Sequence, residues 1–197
     1  MNKYKRYIPV IAVVLIALGV NLDQFGIDLK ALSQGGSPSI SSSANTDNSS
    51  SGRQQAHETP GYSQWSDTTP NINLWHVFEG EINRNGKPVG FHSRPQGQDP
   101  ANARVVSVRD KPNRAGVYTA TIEIRDGNQW KSKFSSFFPD DMSQDEVINA
   151  ILNAYNQSSN NNAQPFEGPS GLGFNIQGYT SNRGGINTAF PIFVGSQ

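Results

Sequence analysis

Between Asp23 and Thr69 the chain is dominated by Ser, Gly, Asn, Gln and Thr. The run "SQGGSPSISSSANTDNSSSGRQQAHETPGYSQWSDTTP" has almost nothing apolar to bury. Such a stretch cannot repay the entropy of ordering its backbone and reads as a flexible tether. This single feature divides the 197-residue chain into three expected parts: residues 1–22, a linker over 23–70, and a folded domain over 71–197. An overall hydrophobic content of only 35% fits that division, because one packed core need not span the whole length.

The first part, "MNKYKRYIPVIAVVLIALGV", places Lys3, Lys5 and Arg6 before an uncharged run from Ile8 to Val20. A bilayer span needs roughly 20 apolar residues. The shorter run fits the apolar region of a signal peptide, or an uncleaved signal anchor, because no small-x-small cleavage site follows. Positive charge ahead of it predicts that the rest of the protein is exported. The expected location is therefore secreted or membrane-anchored, with the membrane contacted only through the N-terminal segment.

The third part predicts an α+β domain. "ARVVSV" and "GVYTATIEI" alternate as strands, the second with Tyr118, Ala120, Ile122 and Ile124 on one face. Asp126-Gly127 marks a tight hairpin, and "WKSKFSSFF" returns as its partner. Ser143 and Glu146 form a capping box that opens a helix with Val147, Ile148, Ile151, Leu152 and Tyr155 on one side. Asn156 to Gln164 reads as a polar loop. "INTAFPIFV" reads as a last strand, and Pro191 assigns it to an edge or a bulge.

With 16 basic and 16 acidic side chains the net charge is zero, but its distribution is uneven. From His76 to Lys133 there are ten Lys/Arg and six Asp/Glu; from Phe134 onward there is one Arg and five acids. A basic face is thus available for an anionic partner. The absence of cysteine excludes disulfides, thiolate catalysis and Cys-ligated zinc.

Of three histidines, His57 falls in the tether, whereas His76 and His92 lie 16 positions apart in "WHVFEGEINRNGKPVGFHSRP". Two imidazoles can exchange protons near neutral pH, one accepting while the other donates. That is what internal transesterification of RNA requires: deprotonation of a 2′-OH, attack on the adjacent phosphorus, and protonation of the leaving 5′-oxygen. The negatively charged phosphorane also needs a cation and backbone N–H donors. Lys131 and Lys133, on one strand face, are candidates for the cation, and Gly90 permits close backbone approach. Glu79 and Glu81 are the nearby carboxylates, placed to orient His76 or simply solvated, and Arg94 is either a phosphate contact or a surface charge. No third ligand sits at metal-binding spacing from the pair.

"HVFEGEINRNGKPVGFHSRP", "VYTATIEI", "SSFFPDDMSQDEVINAI" and "NTAFP" together resemble the bacterial branch of the EndoU endoribonucleases, domains that occur as toxin modules and resemble the coronavirus uridylate-specific endoribonuclease. The ordered elements H-x-F-x-G-E, G-F-H and F-F-P-D carry the likeness from Leu74 to Val194. The resemblance implies an α+β fold of curved antiparallel sheets with packed helices and a His-His-Lys site. It matches His76 and His92 to the two family histidines and Gly90 to a backbone oxyanion donor. It favours Lys131 for the lysine, ahead of the Ser136-Phe137 pair, with Lys133 the alternative. Thr188 matches a hydroxyl residue held near substrate, and Phe190 stands where the family usually has tyrosine. The implied activity cuts single-stranded RNA beside uridine to a 2′,3′-cyclic phosphate. No cofactor is required, although some relatives respond to manganese, and a toxin of this kind implies a cognate immunity protein as partner. The competing expectation is a tethered RNA- or protein-binding module without turnover, for which Phe190 is the one favouring residue.

Overall fold

The computed structural model describes residues 62–160 and 163–195; the expected signal segment, His57 and most of the expected linker lie outside them. The folded unit begins earlier than the expected boundary at residue 71. The Tyr62 hydroxyl donates to Glu79 at 2.7 Å, the Trp75 indole N–H donates to the Tyr62 carbonyl, and Trp65 forms a β-bridge with Asn73. Two aromatic rings thus fasten a Ser/Thr-rich stretch that composition alone assigns to the tether.

The architecture is α+β, with three antiparallel sheets and one α-helix among the described residues. The expected plural helices reduce to that one, supplemented by a π-helical turn (Trp75–Glu79) and a short 3-10 turn (Pro95–Gly97). Strands β1 (Glu81–Ile82) and β2 (Pro88–Val89) form a small ribbon; β3 (Ala103–Asp110), β4 (Tyr118–Asp126) and β5 (Gln129–Phe137) form a meander. After helix α1 (Gln144–Gln157), strands β6 (Phe166–Pro169), β7 (Asn175–Thr180) and β8 (Ile186–Pro191) form the third sheet in that order.

The meander follows from alternation. Tyr118, Ala120, Ile122 and Ile124 are all buried and pack with Phe91, Ala103 and Phe137 into one apolar cluster. The hairpin loop is Gly127-Asn128, closed by the Asp126–Gln129 pair, and Gly127 takes the positive φ that such a turn needs. Helix α1 starts at the capping box: Ser143 Oγ accepts from the Glu146 amide while Glu146 accepts from the Ser143 amide. Its buried face is centred on Val147, Ala150, Ile151 and Ala154, with Ile148, Leu152 and Tyr155 at the margin. The two alanines let β6 come close. A Cβ on Gly168 would stand 2.0 Å from the Ala154 carbonyl, so the strand crosses the helix at backbone contact. Strand β8 lies at the sheet edge, where Pro191 is tolerated.

Much of the basic excess is neutralised locally. Arg94 pairs with Asp99 and Asp140, Arg104 with Glu123, and Lys131 with Asp126. Arg104 and Arg125 also lie over the Trp130 ring, 4.2 and 5.0 Å from its centroid.

Candidate functional site

The two histidines meet because two irregular segments bond to each other. The π-helical turn holds His76, with Gly80 N–H closing it on the Trp75 carbonyl at 2.9 Å. Val77 and Phe78 in that turn are buried, anchoring it to the core beside α1. The segment after β2 then runs across it: Phe91 N–H donates to His76 O (2.8 Å), and His92 N–H to Val77 O (2.7 Å). The ring centroids of His76 and His92 end 6.2 Å apart, and each histidine is more than nine-tenths buried.

This crossing explains the motif glycines. Gly90 has φ +75°, and a Cβ there would meet the His76 carbonyl oxygen at 2.2 Å and its Cδ2 at 3.0 Å. The close approach that glycine permits is to the backbone of the other histidine. Gly80, at φ +68°, would drive a Cβ to 2.6 Å from Ile124. Phe91 holds φ +59° despite its side chain, a strain of order 1–3 kcal/mol. Its ring is fully buried edge-on against Phe137, with centroids 5.1 Å apart, and this burial holds the turn in place.

Each imidazole has one nitrogen committed. His76 Nδ1 lies 2.8 Å from Glu81 Oε1, a carboxylate that can only accept, so Nδ1 carries the proton and Nε2 remains for chemistry. Of the two carboxylates singled out from the sequence, Glu81 therefore contacts the site and Glu79 binds Tyr62. His92 Nδ1 lies 2.9 Å from Ser135 Oγ and 3.1 Å from the Ser136 carbonyl. Burial, reinforced by the charges of Lys133 and His76, holds His92 well below the ordinary histidine value, so its ring is neutral near pH 7.

The lysines separate. Lys131, the one the resemblance favours, donates to Gly86 O at 2.8 Å and pairs with Asp126 at 2.5 Å, toward the hairpin end. Lys133 donates to Gly90 O at 2.8 Å and lies 3.4 Å from Ser135 Oγ, beside His92. Residues i and i+2 share a strand face but sit roughly 7 Å apart along it, and the two amines reach different glycine carbonyls. Burial pushes the Lys133 ammonium down to about 7. The unfolded chain keeps that proton to about the ordinary 10.5, so between these values it binds more protons than the folded one. Stability should therefore rise from pH 7 toward 9 in the wild type, and the rise should shrink in Lys133→Met. Thermal melts across that range check it; parallel curves for the two proteins would contradict the burial of a titrating amine.

Phe190 on β8 faces the site, with its ring centroid 5.3 Å from that of His92. It is half-buried rather than a core residue. Thr188, two positions earlier on the same strand face, is buried opposite Tyr179. Arg94 bonds to Asp99, Asp140, Tyr118 and the Gly97 carbonyl. In "FFPDD" both phenylalanines are buried, and Asp140 accepts from the Tyr118 hydroxyl at 2.7 Å. Among the described residues no three His, Asp or Glu side chains converge on a common metal position. Ser135 escaped the sequence reading; the one signal was a polar residue at the parity of Lys131 and Lys133 on an inward-facing strand.

Known proteins point the same way as this geometry. The chain is 32% identical over 122 residues to a curated protein named "Toxin" from Bacillus cereus, a match covering 60% of this chain and 22% of that one. The chain thus corresponds to less than a quarter of that relative's length. No solved structure matches it. The family model described as "Bacterial EndoU nuclease" matches residues 71–193, which include both histidines, both lysines and Phe190, and the chain belongs to that family.

Proposed function

We propose that the domain is a toxin-type endoribonuclease that cuts single-stranded RNA by attack of a 2′-OH on its own 3′-phosphate. The observation that carries the reading is that the His76 and His92 ring centroids lie 6.2 Å apart, with His76 held by a carboxylate and the Lys133 amine bonded to Gly90 beside them. In this reading His92 Nε2 takes the 2′-OH proton as the 2′-oxygen bonds to phosphorus. The bond from phosphorus to O5′ breaks, and that oxygen takes a proton from His76 Nε2. The products are a 2′,3′-cyclic phosphate and a 5′-OH, and the two rings have exchanged protonation states. His76 is assigned as the donor because His92 is the acceptor and the Glu81 carboxylate on His76 Nδ1 leaves Nε2 to give the proton.

Lys133 supplies the positive charge for the phosphorane, with the Gly90 amide as the proposed backbone donor. Lys133→Ala should lower the cleavage rate by about 10²-fold or more, the usual effect of removing one such group, while Lys131→Ala should stay within about threefold. Equal losses in both variants would contradict the assignment. Phe190 offers a ring on which a base, uridine by preference, can stack next to His92, an interaction worth roughly 1–3 kcal/mol. Export through the N-terminal segment and neutralisation by an immunity protein complete the proposal; stimulation by manganese is a separate question for assay. The test is incubation of the purified chain with single-stranded RNA and with DNA of the same sequence. Cleavage confined to RNA supports the reading. Intact RNA, or equal cutting of DNA, which has no 2′-OH, contradicts it.

A further inference from the structure

We infer that Ser135 is a positioning residue of this site: its hydroxyl holds the His92 ring with Nδ1 protonated and joins that ring to the Lys133 ammonium. The inference rests on the reading of His92 as the proton acceptor.

Four polar groups surround Ser135 Oγ: Phe91 O at 2.8 Å, His92 Nδ1 at 2.9 Å, Lys133 Nζ at 3.4 Å and Ser136 O at 3.5 Å. A hydroxyl has one proton to give and two lone pairs to receive. The Ser136 carbonyl, which only accepts, lies 3.1 Å from His92 Nδ1, so Nδ1 carries a proton and cannot take the hydroxyl's; that proton goes to Phe91 O, the carbonyl at short range. The lone pairs are then left for the Lys133 N–H and for His92. With Nδ1 protonated, the Nε2 lone pair is the one free to take a proton from substrate.

Ser135 is 2% exposed, so solvent is poorly placed to replace a lost hydroxyl. It lies on β5 at the parity of Lys133 and pairs across the sheet with Ala120, so the strand fixes Oγ relative to the amine without help from substrate. Its third partner, Phe91 O, belongs to the left-handed turn that delivers His92. One oxygen therefore touches the acceptor ring, the cation and the turn that positions the ring. A packing role would need none of these three partners.

The full chain carrying Ser135→Ala or Ser135→Thr tests this, read by RNA cleavage across pH and by the imidazole 15N spectrum near neutral pH. The wild-type spectrum should show His92 with Nδ1 protonated and Nε2 bare. Ser135→Ala should lower kcat by roughly tenfold or more, as loss of an orienting partner does, with KM nearly unchanged. It should also move the acidic limb of the profile to lower pH, because the protonated ring loses an acceptor, and admit some of the other tautomer. Ser135→Thr, which keeps the hydroxyl, should retain the wild-type limb and tautomer. A wild-type His92 protonated on Nε2 overturns the inference without any variant. So does an unchanged acidic limb and tautomer in Ser135→Ala, whatever its melting temperature. Should the wild-type chain leave RNA intact, the cleavage reading fails by that result, while the spectra still decide the placement of the His92 proton.

Discussion

His92→Ala and His76→Ala are each expected to slow RNA cleavage by about 10²-fold or more, the usual contribution of a general acid or base, while the domain stays folded. Both rings are buried, so some loss of stability accompanies either change, and rates are compared for the folded protein. Circular dichroism and melting separate folding from catalysis. The wild-type rate should trace a bell against pH. On the acid side the limb belongs to His92, which must be neutral to act and which burial holds below the ordinary value of 6.5; the rate should therefore persist to lower pH than an exposed histidine permits. On the alkaline side His76 must hold the proton it gives to O5′ and Lys133 must remain charged, and in the free protein Lys133 loses its proton at about 7. The kcat/KM profile should thus decline from near neutrality. A bound phosphate favours the charged amine, so the kcat limb should lie higher. Near-full activity in either alanine variant, or a monotonic profile, would contradict the assignment.

The second large effect is at Gly90. In Gly90→Ala the new methyl would stand 2.2 Å from the His76 carbonyl oxygen, at a φ of +75° that side chains rarely adopt. No flexible side chain can yield, because the obstacle is backbone. Either the π-helical turn or the segment leading to His92 must move, and the bonds from Phe91 and His92 to residues 76 and 77 would be lost or lengthened. Strain of this kind combined with broken buried bonds costs on the order of 3 kcal/mol or more. Activity should fall at least as far as in the histidine variants, and the melting temperature should fall with it. His92→Ala should lower the melting temperature less, because it requires no movement of the backbone. The contrast distinguishes a residue that builds the site from one that acts in it. A Gly90→Ala variant as stable and active as wild type would mean that the two segments do not cross as described.

Alternation made the meander legible: Tyr118, Ala120, Ile122 and Ile124 announce a half-buried strand, and the capping box announces α1. Strands β6 and β7 carried no such signal. "FEGP" and "NIQGYT" are short and interrupted by glycine, and they become strands because Gly168 and Gly178 allow close contacts with Ala154 and Phe166 that only the tertiary fold supplies. The π-helical turn under His76 is five residues long, too short to show a period. Histidine scarcity pointed to His76 and His92. The sequence could not tell Lys131 from Lys133, because a strand period of two gives both the same face and only their contacts with Gly86 and Gly90 differ. Ser135 was hidden for a related reason: its role lies in three partners drawn from two segments remote in sequence.

In the proposed reaction the nucleophile is the RNA's own 2′-oxygen, activated by His92. The most direct measurement uses two oligonucleotides, identical except that one has a single uridine as 2′-deoxyuridine, with products identified by mass spectrometry. The all-ribose strand should yield a 2′,3′-cyclic phosphate at that uridine and a 5′-OH on the following fragment, and the deoxy-substituted strand should survive at that position. Cleavage at the deoxyuridine, or fragments ending in a 3′-OH and a 5′-phosphate, would show that water or another external nucleophile attacks phosphorus and would contradict it.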